Sequence, residues 1–88
     1  MGRYQNAINI FGQAVKVRPD DHALQGGLAN AYAQLESEDA VRGAQRSFAR
    51  ARFLAERNLL IDPGDANTTI DLAYYCAALA DQACMQQN

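Results

Sequence analysis

The stretches PDDHALQGGLANAYAQL, residues 19–35, and PGDANTTIDLAYYCAAL, residues 63–79, share one pattern and decide the fold. Their prolines, at positions 19 and 63, lie 44 residues apart, and matching residues recur at that offset. The pairs are Asp21 with Asp65, Leu28 with Leu72, Ala29 with Ala73, Ala33 with Ala77, and Leu35 with Leu79. A fixed period of this length is typical of stacked supersecondary units. The sequence therefore predicts a repeat architecture.

The same offset holds upstream of both prolines. The further pairs are Tyr4 with Phe48, Ala7 with Ala51, Val15 with Leu59, and Val17 with Ile61. The repeat consequently extends over nearly the whole chain.

The composition indicates one small globular domain. The 88 residues are 49% hydrophobic and 20% charged, with a formal net charge of −2, which argues against a disordered or nucleic-acid-type chain. No apolar run approaches the roughly 18 residues that a membrane helix requires. The N-terminal stretch MGRYQNAINIFGQ lacks the apolar run and cleavage site of a signal peptide. We expect a cytoplasmic domain without a membrane segment.

The two cysteines, Cys76 and Cys84, are separated by eight positions. On a single helix this separation corresponds to about 12 Å, whereas a disulfide requires Cα atoms within about 7 Å. We therefore expect two small buried thiols in a reducing compartment. Metal binding and redox chemistry are the alternatives, and the lack of a CxxC motif or a nearby histidine disfavours both.

Hydrophobic periodicity and helix-ending residues predict a series of helices. The expected ranges are 3–16, a second helix that ends near 35, then 40–60 and 66–80. Pro19 and Pro63 end the preceding helices, because a residue before proline is pushed out of the α region. Asp20 or Asp21, the turn at Ser37 and Asp65 supply side chains that can cap the following helices.

Apolar residues at three- and four-residue steps give each helix an expected buried side. These are Tyr4, Ala7, Ile8, Phe11, Ala14 and Val15, then Leu24, Leu28, Ala31, Tyr32 and Leu35, then Val41, Ala44, Phe48, Ala51, Ala55 and Leu59, and finally Ile70, Ala73, Tyr74 and Ala77, with Cys76 as a further candidate.

Gly26 and Gly27 lie in the middle of the second predicted helix. Each costs about 1 kcal/mol of helix propensity relative to alanine. Their presence indicates a close approach of another backbone, and simple tolerance of glycine is the alternative.

The order of residues resembles the tetratricopeptide repeat (TPR), a helix A–turn–helix B unit. The first helix supplies Ala7, Phe11, Ala14 and Pro19, as in helix B. The second helix supplies Leu28, Ala29 and Tyr32, as in helix A, and the fourth supplies Leu72 and Ala73, with Cys76 where an aromatic is expected. The sequence departs from the family signature at Gln25 and Thr69, which replace the usual tryptophan, and at Ala55, which replaces the aromatic of helix B.

The period also differs from that of the family. A standard unit has about 34 residues, whereas this one has 44. Similar lengthened repeats occur in the helical arms of bacterial signalling proteins. The resemblance implies an all-α fold of antiparallel helix–turn–helix repeats, a right-handed α-solenoid of about four helices. It divides the chain into a helix B at 1–18, one complete lengthened unit at 19–62, and a further helix A at 63–88.

The resemblance implies a protein-interaction module, because A helices line the peptide-binding groove of this family. The groove residues transferred by position are Asn30, Gln34, Asn67, Ile70, Asp71 and Tyr74. Amide side chains can hydrogen-bond an extended peptide, and a tyrosine offers an apolar ring with a polar tip. Gly27 and Asp71 stand where some family members carry a basic carboxylate clamp, so we do not expect an acidic C-terminal tail as ligand.

Motifs for catalysis do not occur in the sequence. It contains no phosphate loop, no GxSxG motif and no Cys–His arrangement. The single histidine, His22, follows Asp20 and Asp21, which indicates a helix-capping cluster and not a metal site. We expect neither an enzyme nor a bound cofactor.

A basic segment lies on the third predicted helix. Residues 40–60 carry five arginines and one acidic residue, Glu56. Arg42, Arg46 and Arg50 are four residues apart and therefore share one face. This face could bind an acidic protein segment or nucleic acid, and a solvated outer face is the alternative. Aromatic residues do not alternate with these arginines, which disfavours nucleic acid.

The first and fourth helices carry apolar residues for which the repeat supplies no partner. These are Tyr4, Ile8, Phe11 and Val15, with Ile10 and Val17 beside them, and Ile70, Tyr74 and Tyr75. A domain this short is only marginally stable, and exposed apolar patches usually mark interfaces. We expect self-association through these open repeat ends, so a structural oligomerisation element is the main alternative to a peptide-binding module.

Overall fold

A computed structural model describes residues 3–80 and contains, within that range, four α-helices. They are α1 Arg3–Val17, α2 His22–Ala33, α3 Glu38–Ile61 and α4 Ala66–Ala78. Each helix packs against the next one along the chain. Between residues 3 and 80 there is no strand. The predicted all-α fold is confirmed.

The turns that precede α2 and α4 have the same geometry. The Asp21 N–H donates to the Arg18 carbonyl at 3.3 Å, and the Asp65 N–H donates to the Asp62 carbonyl at 3.2 Å. The Asp21 side chain then accepts from the first turn of α2, and the Asp65 carboxylate accepts from Thr68 N–H at 3.1 Å. Both aspartates are the N-caps that the sequence predicts.

The helix α3 begins two residues earlier than expected. The Ser37 hydroxyl accepts a hydrogen bond from Ala40 N–H at 3.1 Å and caps the helix. Glu38 and Asp39 therefore belong to its first turn, where negative charge interacts favourably with the helix dipole. Two acidic residues are consequently added to the helix that carries the arginines.

The largest cluster of buried side chains joins α2, α3 and α4. Many of its members are alanines, so the helix backbones approach closely around Phe48, Leu72 and Tyr75. The cluster contains Ala29, Ala44, Phe48, Ala51, Ala55, Leu72, Tyr75 and Cys76. The buried side predicted for α3 is thus confirmed at Ala44, Phe48, Ala51 and Ala55, whereas Val41 is exposed.

The buried side predicted for α4 is wrong except at Cys76, which is fully buried. Ile70 and Tyr74 are 66% and 50% exposed, and Ala73 and Ala77 are exposed as well. The helix buries Thr68, Leu72, Tyr75 and Cys76. Apolar residues occur around most of its circumference, so periodicity could not identify the face that meets α3. For the same reason the prediction that Tyr75 lacks a partner is wrong.

The helix α1 packs on α2 through a face that is largely half-buried. Ile8 is its buried residue among those the structure describes, and Tyr4 remains 44% exposed. Leu28 of α2 is half-buried, whereas its repeat equivalent Leu72 is only 5% exposed. The repeat equivalence of Leu28 and Leu72 therefore does not extend to equal burial.

The mid-helix glycines of α2 are sites of close approach, as predicted, but the approaching groups are aromatic rings and not another backbone. A Cβ on Gly26 would lie 2.7 Å from Cε1 of Tyr75, and a Cβ on Gly27 would overlap the ring of Phe11. A side chain at either position would collide with a packed ring. The glycines thus allow α1 and α4 to approach α2.

The prediction of a free thiol at Cys76 is also wrong. Cys76 is fully buried and disulfide-bonded, and the chain's other cysteine, Cys84, lies outside the described residues. The distance argument assumed one continuous helix through both cysteines, but α4 ends at Ala78 and Ala80 has a positive φ of 54°. Disulfides persist mainly in oxidising compartments, so Cys76 gives no support to a cytoplasmic location, which stays a prediction.

Candidate partner-binding surface

Five of the six residues predicted to bind a partner lie on α2 and α4, and the sixth, Gln34, is the C-cap of α2. Asn67, Ile70, Asp71 and Tyr74 follow the helical spacing that puts side chains on one face. Asp71 is half-buried and the other five are exposed. The Tyr74 hydroxyl donates to Oδ1 of Asn30 at 2.5 Å. This hydrogen bond joins the surfaces of the two helices at Asn30 and Tyr74.

The apolar part of this surface is supplied by Ile70 and Tyr74. The Tyr74 ring packs against Phe48 with centroids 5.9 Å apart and an interplanar angle of 62°. The same ring lies 6.2 Å from that of Tyr75. Because two rings and the bond to Asn30 hold it, Tyr74 presents a fixed apolar plate with a polar edge.

A groove between α1 and α2 adjoins this surface and has a volume of about 460 Å³. Its walls are mainly apolar, with amides at the rim. We call it the α1–α2 groove, and it is lined by Tyr4, Ala7, Phe11, Gly27, Asn30, Ala31 and Gln34. Sequence reasoning identified the α1 wall as an unpartnered apolar stripe but missed the α2 wall. The signal for the α2 wall was a pair of small residues, Gly27 and Ala31, one helical turn apart.

A cluster of polar side chains joins the start of α4 to α2 and α3. Nδ2 of Asn58 donates to Oδ2 of Asp65 at 3.0 Å and to Oγ1 of Thr68 at 2.9 Å. The Thr68 hydroxyl donates to Oδ2 of Asp65 at 2.8 Å and lies 3.3 Å from Nε2 of His22. The Tyr75 hydroxyl lies 3.0 Å from Nδ1 of His22.

The position of His22 differs from the prediction. It follows the cap Asp21 and directs its ring toward Tyr75 and Thr68, so it contributes to packing between α2 and α4 and not to capping. Among residues 3–80, no group of three His, Cys, Asp or Glu side chains could hold a metal ion. The polar cluster connects three helices, which is a structural role.

Two pKa values in this cluster are shifted in opposite directions. Burial raises the pKa of Tyr75 to about 12, and the negative charges of Asp71 and Asp21 add to the effect. Hydrogen bonds from the hydroxyl and N–H of Thr68 lower the pKa of Asp65, partial burial opposes this change, and the Asn58 amide lowers it further. Tyr75 is therefore held neutral, and Asp65 is held ionised.

The predicted basic face lies on the exposed side of α3. Arg42, Arg46 and Arg50 are all exposed. The Arg42 guanidinium is 3.7 Å from the Glu38 carboxylate and 3.9 Å from that of Asp39. Exposed pairs of this kind contribute little to stability, although they offset some of the positive charge.

An aromatic residue does lie among the arginines, contrary to the prediction. The Phe53 ring is 48% exposed, with the guanidinium carbons of Arg50 and Arg57 at 5.5 Å and 5.8 Å from its centroid. These distances are within the range of cation–π interactions. The basic face therefore includes an aromatic ring at its C-terminal end.

A transmembrane helix is not found within residues 3–80, because none of the helices there combines sufficient length with sufficient hydropathy.

Comparison with known families supports the resemblance inferred from the repeat. Residues 1–42 match the family model of the tetratricopeptide repeat. The match includes α1, α2 and the start of α3, which is just under half of the chain. Searches of curated proteins and of solved structures gave no significant match.

Proposed function

Because residues 1–42 contain a tetratricopeptide repeat, we propose that the chain is a protein-interaction module that binds a peptide or partner protein across α2 and α4. Repeats of this family generally serve in protein–protein interaction and are typically non-catalytic. We assign α2 and α4 as A helices and α1 and α3 as B helices. Under this assignment, the partner lies on Asn30, Gln34, Asn67, Ile70, Asp71 and Tyr74.

The observation that carries the proposal is the contact between Asn30 and Tyr74. It joins the two helices assigned as A helices at repeat-equivalent positions, and both residues remain exposed. Beside it lies the exposed Ile70. Large exposed apolar residues next to amides are typical of binding surfaces, because the apolar groups gain from burial and the amides fix orientation.

The chemistry of the surface indicates the kind of partner. Asn30, Gln34 and Asn67 can donate to and accept from an extended backbone. The charged residue of the set, Asp71, is acidic. We therefore expect a segment that offers an apolar side chain to Ile70 and Tyr74 and a basic side chain to Asp71.

A random peptide library displayed on phage tests this function. Peptides selected on the wild-type chain should bind Tyr74→Ala at least about tenfold more weakly, a loss of about 1.4 kcal/mol. The matched control is Phe53→Ala, because Phe53 is 48% exposed and Tyr74 is 50% exposed. Selected peptides should bind this control with unchanged affinity in fluorescence anisotropy. Equal binding to both variants, or failure to select any peptide, would contradict the proposal.

A second candidate function is nucleic-acid binding by the basic face, which the position of Phe53 between two arginines favours. Aromatic rings next to cations can stack on bases and contact phosphates. Retention of the wild type on single-stranded DNA should fall steeply with salt, and Arg46→Gln with Arg50→Gln should reduce it. If the wild type is not retained at low salt, this candidate is wrong.

A further inference from the structure

The 44-residue offset relates the α1–α2 groove to a site on α3 and α4. Inside the chain, α2 occupies that site. At the 44-residue offset, the α1 wall of Tyr4, Ala7 and Phe11 matches Phe48, Ala51 and Ala55 of α3. These α3 residues share the buried cluster with Ala29 of α2. The groove thus presents to solvent the kind of surface on which an A helix packs within this chain.

The α2 wall of the groove differs from its equivalent in side-chain size. Inside the chain, the Tyr75 ring covers Gly26, where a Cβ would lie 2.7 Å from the ring. At the 44-residue offset, Ala31 stands in the groove in place of Tyr75. The groove is therefore shaped for an A helix that carries a larger residue than glycine at the position of Gly26.

The helix α4 carries such a residue. Ile70 is the repeat equivalent of Gly26 and is 66% exposed. In the groove, the large Ile70 would pack over the small Ala31, whereas inside the chain the small Gly26 packs under the large Tyr75. Exchanges that conserve total volume are well tolerated in packed interfaces. Tyr74 is likewise the equivalent of Asn30, so an α4 helix in the groove would bring its Tyr74 to Asn30 and repeat the pairing seen inside the chain.

The charges of the two helices are complementary. The helix α1 contains Arg3 and Lys16 and no acidic residue, whereas α4 contains Asp71 and no basic residue. Opposite charges favour their approach and disfavour pairing of two α1 helices.

We propose that α4 of one copy docks in the α1–α2 groove of a second copy, so that identical chains associate head to tail. The inference rests on the proposed function, since Asn30, Ile70 and Tyr74 belong to the surface described there, and it identifies the partner as a second copy of this chain. The two contacting surfaces are different, so the contact is heterologous and can continue into a series.

Two variants, each with one of the two contacting surfaces disrupted, test this contact by sedimentation velocity at tens of micromolar. Tyr4→Glu places a charge in the groove and leaves α4 intact, and Ile70→Glu disables α4 and leaves the groove intact. Both residues are exposed, so each variant should keep the wild-type helical circular dichroism. We expect the wild type to form species larger than dimers and each variant alone to be monomeric, with association weakened at least tenfold. An equimolar mixture should form a dimer and nothing larger, because one intact contact remains.

The matched control is Ile10→Glu, because Ile10 is also 66% exposed and does not line the groove. This variant should associate like the wild type. A monomeric wild type, a monomeric mixture, or loss of association in Ile10→Glu would overturn the inference. If the wild type is monomeric and still binds selected peptides through Tyr74, the proposed function holds and the head-to-tail contact alone is wrong.

Discussion

The helices α2 and α4 are two copies of one sequence pattern, and they differ in how much of their surface is covered. Both begin at a capping aspartate after the same turn. The helix α2 contacts α1, α3 and α4, with ring contacts at Gly26 and Gly27. The helix α4 leaves Ile70 and Tyr74 exposed. The comparison shows that the repeat determines the backbone of both helices, while the size of the side chains at equivalent positions determines which of their faces are buried.

The largest expected effect distinguishes the two leucines of the repeat. Leu72→Ala should destabilise the fold by about 2–5 kcal/mol, because a buried leucine is replaced by a cavity. Leu28→Ala should cost less, because Leu28 is half-buried and lines a cleft of α1 and α2 that is separate from the α1–α2 groove. Urea denaturation of both variants measures the difference. Equal losses would show that the two copies are equally packed.

Glycine substitutions test the close contacts of α2. Gly26→Ala should destabilise by about 1–3 kcal/mol, because the added methyl group meets the buried Tyr75 ring. The control is Gly12→Ala in α1, where a Cβ meets no described atom within 4 Å. This variant should stabilise the fold by about 0.5–1 kcal/mol, because alanine favours the helix. Thermal melts that shift in the same direction for both variants would contradict the assigned contact.

The two capping aspartates should respond differently to substitution. Asparagine also caps helices, but Asp65→Asn removes a charge that accepts from Asn58 and Thr68. At about pH 7, Asp65→Asn should therefore lower the melting temperature more than Asp21→Asn.

The effect of Asp65→Asn should depend on pH. The pKa of Asp65 is lowered in the folded state, so its stabilisation is present above the ordinary aspartate pKa of about 3.9 and is lost as pH falls through the folded value. The difference between Asp65→Asn and the wild type should shrink in acid. A difference that stays constant down to about pH 2 would contradict this reading.

The smallest effect concerns the neighbouring tyrosines of α4. The pKa of buried Tyr75 is raised to about 12, so its folded-state stabilisation is present below the ordinary tyrosine pKa of about 10 and is lost as pH rises toward about 12. Ultraviolet titration of tyrosinate should show a late component that Tyr75→Phe removes. Tyr74→Phe, the adjacent control, should retain that component. Its loss in the control would show that Tyr75 is not the group that titrates last.

The candidate surface was only partly predictable from the sequence. Positional transfer placed Asn30 and Tyr74 on neighbouring A helices, and the structure brings them into hydrogen-bonding contact. The α1–α2 groove was missed on its α2 side, because Ala31 counted as an ordinary buried alanine in the helical pattern. Its significance depends on comparison with Tyr75 at the equivalent position, where a ring fills the space that Ala31 leaves open.

The sequence by itself determined the helical class, the order of the helices and their ends to within about two residues, because caps, prolines and periodicity act over a few neighbouring residues. Only the tertiary structure decided which face of α4 is buried, since apolar residues surround that helix and contact with Phe48 and Gly26 selects Tyr75. It likewise decided the bonded state of Cys76, because the end of α4 invalidates a distance calculated along one helix. Such outcomes depend on contacts between residues far apart in the chain, which local sequence patterns do not encode.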